Sequence, residues 1–178
     1  QLNLHMDGAR FANAVVASGV NPADITWRAG VDCLSFGLTK NGGIATEAVV
    51  MFNQALAEDF AYRRKRAGHL WSKQRFLAAQ WLALLESDLW LDNARHANAM
   101  ARELAVGFAA HDAIRLPWPV DARELFPVIP GVLRGRLRDA GLVFYDWPQE
   151  ADMTRFVTHF GTDPAELARA VEVIATCQ

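Results

Sequence analysis

The sequence is poor in the features that mark several protein classes. It holds 2 cysteines in 178 residues, Cys33 and Cys177. That is too few for a disulfide framework, and neither sits at a metal-ligand spacing, so no metal site is expected. A reducing, cytoplasmic setting is the plain expectation. Charge of either sign is not in excess: Lys+Arg 18 against Asp+Glu 20 leaves a net charge of −2. A balance of this kind argues against a nucleic-acid or membrane-surface binder. The longest uncharged apolar run, near Phe76–Leu85, is too short to span a bilayer, and no secretory leader is visible. Internal repeats and low-complexity segments are missing as well.

What is present is a chain with 52% hydrophobic residues, enough for a sizeable core in one ordinary domain or in parts of two. It opens on Gln1 rather than an initiator Met and runs at once into Leu2-Asn3-Leu4-His5-Met6. A domain seldom begins inside a strand, which raises the expectation that further chain upstream belongs to the same fold.

The alternation over Leu2–Met6 predicts a strand, ended by Asp7-Gly8. Ala9–Ser18 reads as a helix with Gly19 as its stop. Asn21-Pro22-Ala23-Asp24 has the chemistry of a helix start. Val31–Phe36 and Glu47–Phe52 read as strands. This order favours an α/β layer with a mostly covered sheet. Gln54–Arg66 and Asp88–His111 are helical in pattern. Ser72–Ser87 is apolar almost all round, which predicts a helix buried in the core or partly against another subunit. Exposed Trp71, Trp81 and Trp90 would be costly, which points the same way. Beyond Ala113 the expected strands are Ile114–Trp118, Phe126–Ile129, Leu142–Tyr145 and Met153–His159, with a helix over Val132–Ala140. A last helix starts at Asp163-Pro164-Ala165-Glu166, with its capping acid. The expected division is residues 1–104, ending with the long helix, followed by a small α+β domain over residues 105–178.

Two loops that follow strands carry candidate chemistry. One is Asp7-Gly8-Ala9-Arg10; the other is Ser35-Phe36-Gly37-Leu38-Thr39-Lys40-Asn41-Gly42-Gly43. Strand ends of a parallel α/β sheet converge on one edge, where ligands bind. A carboxylate and a lysine on neighbouring strand ends suit pyridoxal 5'-phosphate (PLP). The pyridine nitrogen of that cofactor must stay protonated, which a carboxylate such as Asp7 would enforce. Its aldehyde must be held by an amine, and Lys40 stands in a turn of small residues. Thr39 carries a hydroxyl for the phosphate, and Arg10 a planar fork for a substrate carboxylate. By spacing alone, a D-G step is usually only a turn, and a lysine in a glycine-containing loop is usually a solvated side chain.

Longer stretches add to this. His5-Met6-Asp7-Gly8-Ala9-Arg10 with Asn13-Ala14 resembles the H-x-D-G-A-R-x-x-N-A signature of threonine aldolases and related β-eliminating lyases. Ser35–Gly42 is similar to the lysine segment of the bacterial low-specificity branch. Arg64-Lys65-Arg66-Ala67-Gly68, Ser72–Gln80 and Met153–His159 match that branch too, in the family's order. The resemblance implies the carboxyl part of a fold type I PLP-binding large domain, followed by the small domain.

The resemblance further implies that Lys40 carries the cofactor, that Asp7 pairs with its ring nitrogen, and that Arg10 and Arg155 bind the α-carboxylate of an amino acid. The implied reaction is retro-aldol cleavage of a β-hydroxy-α-amino acid, of the threonine or allo-threonine type, to glycine and an aldehyde. Members of the family are about twice this length. The phosphate-cradling loop and the ring-stacking histidine are therefore expected from a missing amino-terminal half, in a homodimer or homotetramer with interfacial active sites. Other PLP chemistry on the same scaffold (β-elimination or racemisation) is an alternative, as is a non-catalytic half-chain. His5, two residues before Asp7, is a candidate partner of that site or an ordinary strand residue. In the basic run Arg63-Arg64-Lys65-Arg66 and beyond it, a solvated helix end competes with Lys73 or Arg75 as a phosphate contact to a neighbouring subunit.

Overall fold

The computed structural model describes residues 2–177; Gln1 and Gln178, the outer ends of the two expected domains, lie outside the described residues. The chain divides into two compact units, Gln1–Ala94 and Arg95–Gln178. This division falls inside a long helix, of which Met100, Ala101, Leu104 and Phe108 belong to the core of the second unit.

In the first unit the elements run β1 (His5–Gly8), α1 (Phe11–Ser18), β2 (Cys33–Gly37), β3 (Glu47–Met51), α2 (Phe60–Arg66), α3 (Arg75–Glu86) and the start of α4 (Leu89–Ala109). The sheet order is β1-β2-β3, with β1 parallel to β2 and β2 antiparallel to β3. A parallel pair needs a crossover, and α1 supplies it. Side chains alternate across a strand. Met6, Leu34, Phe36 and Val50 therefore share the face that packs with Phe11, Val15, Leu84 and Trp90. The aromatic rings interlock there: Phe36 lies 5.2 Å from Phe11, 4.8 Å from Trp81 and 5.6 Å from Trp90, edge to face. Helix α1 stops at Gly19, whose left-handed φ of 65° lets its N–H bond back to the Val15 carbonyl.

Gly8 is sterically required at the end of β1. A Cβ on it would stand 2.6 Å from Leu34 Cδ1 and 2.6 Å from the Ser35 carbonyl oxygen. Gly8→Ala is therefore expected to cost roughly 1–3 kcal/mol, the scale of overpacking. A thermal melt measures this directly, and an unchanged midpoint would mean that the β1–β2 pair opens without penalty.

Two expectations are corrected here. Asn21–Asp24 does cap a turn, with Asn21 Oδ1 accepting from the Ala23 N–H at 2.9 Å. No α-helix follows; the Thr26 hydroxyl donates back to the Pro22 carbonyl at 2.7 Å, and the chain forms only a 3-10 turn over Trp27–Ala29 that ends on left-handed Gly30. Helix α3, read as apolar almost all round and buried in the core or partly against another subunit, is not a core helix of this chain: it buries only Leu84. Phe76, Leu82 and Leu85 are 54%, 58% and 39% exposed, and Trp71 is exposed as well. The apolar content of α3 exceeds what this sheet can cover: one stripe packs, and the rest of its apolar surface faces outward. Trp90 is buried and Trp81 half-buried, as the cost of exposing indole requires.

The second unit has its own core, in which Leu104, Phe108, Leu125, Ile129, Leu137, Phe156 and Ile174 meet. Around it lie β4 (Glu124–Leu125), α5 (Gly131–Asp139), β5 (Tyr145–Asp146), β6 (Thr154–Val157) and α6 (Pro164–Thr176). The sheet order is β4-β6-β5, all antiparallel. The expected strands at 114–118 and 126–129 shrink to isolated bridges, Arg115 with Val128 and Val128 with Met153. Pro117, Pro119, Pro127 and Pro130 offer no N–H to a ladder. The α6 start forms as the sequence predicts, with Asp163 Oδ1 accepting from the Ala165 N–H at 2.8 Å. The hydrogen bond from Arg138, helped by the charges of Arg138 and Arg134, holds the exposed Asp146 carboxyl below its ordinary 3.8. Its small, solvent-screened contribution is present above that value and is lost as acid protonates it.

Candidate active site

Because β1 and β2 are parallel neighbours, their carboxyl ends share one edge of the sheet. Asp7 stands near the end of β1, in register with Ser35 on β2. Lys40 stands just past the end of β2, on a 3-10 turn over Thr39–Asn41. Both side chains are exposed. One Asp7 oxygen, Oδ1, accepts from the Ala9 N–H at 2.9 Å, which fixes the Asp7-Gly8 turn. Arg10 is half-buried and caps α1, where its carbonyl accepts from the Ala14 N–H at 3.2 Å.

The lysine turn is held on every side. Leu38 beneath it is fully buried, and its carbonyl accepts from the N–H groups of both Asn41 and Gly43 at 2.9 Å. Asn41 is buried and donates through Nδ2 to the Trp90 carbonyl at 2.7 Å. Asn93 Nδ2 donates to the Asn41 carbonyl at 2.9 Å. The Thr39 hydroxyl oxygen accepts from the Thr46 N–H at 2.9 Å, which leaves its hydrogen to donate elsewhere. Gln80 Oε1 takes both the Ile44 N–H and the Thr46 hydroxyl, at 2.7 and 2.8 Å.

The sheet face that carries Asp7 also carries His5, Ser35, Val49 and Glu47, by register. His5 Nε2 and Ser35 Oγ lie 2.8 Å apart, tying β1 to β2 beside Asp7. A groove of about 770 Å³ runs along this face between Ser35, Glu47 and Val49 on one side and Arg64 and His69 on the other. Gly37 leaves room for the Glu47 carboxylate, which stands 2.5 Å from where a Cβ would be.

Lys73 and Arg75 are exposed at the start of α3, and the Arg75 guanidinium lies 4.8 Å from the Phe76 ring. Arg155 belongs to the second unit. It projects from β6, pairs through Nη2 with Glu124 Oε1 at 2.7 Å, and lies 5.4 Å from the Trp147 ring. Among the described residues, no group of three or more His, Cys, Asp or Glu could hold a metal ion, and no helix is long and apolar enough to cross a membrane.

The beta-eliminating lyase family model matches residues 1–128. The chain belongs to the beta-eliminating lyase family. Within curated proteins it is similar to the low specificity L-threonine aldolase of Pseudomonas aeruginosa, at 46% identity over 176 residues, covering 97% of this chain and 51% of that protein. This beta-eliminating lyase chain thus spans about half the length of the curated relatives it matches. Among solved structures it is similar to the threonine aldolase of Leishmania major, with a TM-score of 0.86 and 31% identity over 97% of this chain and 51% of that one. It also shares its fold with LysN, the alpha-aminoadipate aminotransferase of Thermus thermophilus, a structure complexed with N-(5'-phosphopyridoxyl)-L-leucine. There the TM-score is 0.61 at 11% identity, over 98% of this chain and 58% of that one. The fold is accordingly the mixed α/β fold of the fold type I enzymes.

Several residues at this edge of the lyase chain carry no role in the sequence reading. Ser35 could have been found from alternation alone, since it falls opposite Asp7 once β1 and β2 are paired in parallel. Asn41, Gln80 and Asn93 had no local signal: their partners lie 49, 34 and 52 residues away.

Proposed function

We propose that this chain supplies the lysine and the ring-nitrogen carboxylate of a PLP-dependent aldehyde-lyase. That enzyme cleaves a β-hydroxy-α-amino acid of the threonine type to glycine and an aldehyde. The observation that carries the reading is an exposed carboxylate, Asp7, and an exposed amine, Lys40, at the carboxyl ends of adjoining parallel strands. The low specificity L-threonine aldolases that the chain resembles support the choice of substrate. Because the chain spans about half of their length, the activity is proposed for the protein in which these residues meet the other half. We take the first unit as the carboxyl part of the PLP-binding domain and the second as the small α+β domain.

The donor set fits the cofactor. One Asp7 oxygen is spent on the turn, which leaves the second for the ring nitrogen. Thr39 keeps a hydroxyl hydrogen for a phosphate oxygen. When bound, PLP supplies a cationic ring that draws the electrons of a bond at the α-carbon. Lys40 would hold the cofactor through its amine, and Asp7 would keep the ring nitrogen protonated by its charge. Arg10 and Arg155 would bind the substrate carboxylate through their planar forks, so that the bond to be broken is fixed in direction. Glu124 and Trp147 already orient the Arg155 guanidinium within its own unit.

The test is product analysis on the full-length protein: glycine and an aldehyde from threonine, with a visible absorbance band that borohydride abolishes as it fixes the cofactor onto Lys40. Ammonia and a keto acid, or the mirror-image amino acid, would replace this reading with β-elimination or racemisation. Arg155→Lys is expected to raise KM by roughly 10–100-fold, the scale of a lost charge-assisted hydrogen bond. Steady-state kinetics read it, and an unchanged KM would remove Arg155 from the site.

The outward apolar surface of α3, with Phe76, Leu82 and Leu85, supports a second copy of the protein as partner, in a homodimer or homotetramer. Light scattering on the full-length protein gives the mass. The unpaired Cys33 and Cys177 suit a reducing, cytoplasmic setting.

A further inference from the structure

A lysine that must deliver its amine to one atom has a four-carbon stem with many rotamers. The only part of it that a protein can fix cheaply is the backbone from which the stem springs. Around Lys40 that backbone is fixed by two amides buried or half-buried beneath the turn. Asn41 follows Lys40 directly and is 4% exposed. Its Nδ2 donates to the Trp90 carbonyl in the first turn of α4 at 2.7 Å. From one turn further along α4, Asn93 Nδ2 returns a bond to the Asn41 carbonyl at 2.9 Å. The two bonds run in opposite directions between the same two segments and form a clasp. Gly42 completes it: φ there is +107°, and a Cβ would stand 2.7 Å from Asn93 Nδ2. The chain therefore turns away directly under the Asn93 amide, in a conformation that favours glycine.

The clasp has features that a bare structural plug would not need. An apolar pair of the same size would fill the space without two buried donors to satisfy. Hydrogen bonds add direction, and here both end on main-chain carbonyls, one of them belonging to the residue after Lys40. We infer that Asn41 and Asn93 are positioning residues for the Lys40 amine, setting the angle and height at which it meets the cofactor. This inference rests on the proposed role of Lys40. A displacement of about 1 Å at a reacting group can cost on the order of 100-fold in rate, so a clasp that holds the turn within a fraction of that is a sizeable part of the site.

The experiment uses the full-length protein loaded with PLP. Asn93→Ala removes one arm of the clasp, and Asn93→Asp removes the donor while keeping the shape, which guards against a variant that fails to fold. Each is expected to lower kcat by about 10–100-fold with KM for the amino acid changed by less than about threefold. Each should also weaken the visible circular dichroism of the cofactor band, which reports how rigidly the bound group is held. Val15→Ala, in the same core but away from the turn, is the reference for plain destabilisation. It should lower the thermal midpoint and leave kcat and the dichroic band unchanged. Normal kcat and normal dichroism in both Asn93 variants would overturn the inference, and so would an equal loss in Val15→Ala. Retention of the band and of turnover in Lys40→Ala would instead sink the role of Lys40 itself, and the clasp's role with it.

Discussion

Replacing Lys40 with alanine is expected to lower turnover of the full-length protein by about 10³-fold or more, and to remove both the visible band of the lysine-held cofactor and the fixing of that cofactor to the protein by borohydride. Alanine has no amine, so nothing at this position can hold the cofactor's aldehyde or exchange it for the substrate's amine. The fold should survive. Lys40 is exposed, and Leu38, Asn41, Thr46 and Asn93 hold the turn beneath it. Exposed substitutions of this kind usually stay within about 0.5 kcal/mol. The decisive comparison is therefore activity and absorbance at an unchanged thermal midpoint. Intact turnover in the variant would end the case for a covalent role.

Asp7→Asn is expected to have the second largest effect, and it separates charge from shape. The asparagine side chain is nearly isosteric, and its carbonyl oxygen can still accept from the Ala9 N–H, as Asp7 Oδ1 does at 2.9 Å. The turn into α1 should persist, and with it the fold. What disappears is the negative charge that favours a proton on the ring nitrogen. Turnover should fall by roughly 10²–10³-fold, the scale of losing one preorganised electrostatic contact, while the cofactor stays attached to Lys40. Rapid turnover with the band intact would show that the ring proton does not depend on Asp7. A variant that loses the cofactor altogether would point to a binding role instead of an electronic one.

Much of the fold was legible in the sequence where the rules are local. Asp163 caps α6, and Gly19 stops α1. The alternation over Leu2–Met6 and the run Val31–Phe36 placed both strands to within a few residues of His5–Gly8 and Cys33–Gly37. The failures have local causes too. The Asn21–Asp24 start lost its helix to the Thr26 hydroxyl and to Gly30. The proline-broken strands beyond Ile114 kept only bridges, because proline has no N–H to pair. Helix α3 was legible only in part, for another reason. Its apolar count predicts burial, but composition does not say against what, and the described chain covers only the stripe that contains Leu84.

By itself the sequence determined where the residues of the proposed site stand along the chain: a carboxylate closing one strand, a lysine in the turn after the next, and arginines at Arg10 and Arg155. Such features depend on contacts within a few residues, which the sequence order already brings together. Only the tertiary structure decided that β1 and β2 pair in parallel, with Asp7 opposite Ser35, so that the carboxylate and the lysine share one sheet edge. It also decided that the lysine turn is clasped by amides 49 and 52 residues from their partners. Hydrogen bonds over such separations need α4 beneath the turn, where the aromatic core around Phe36 and Trp90 packs it. Hydrophobic burial sets that approach without direction, and the amides then fix it.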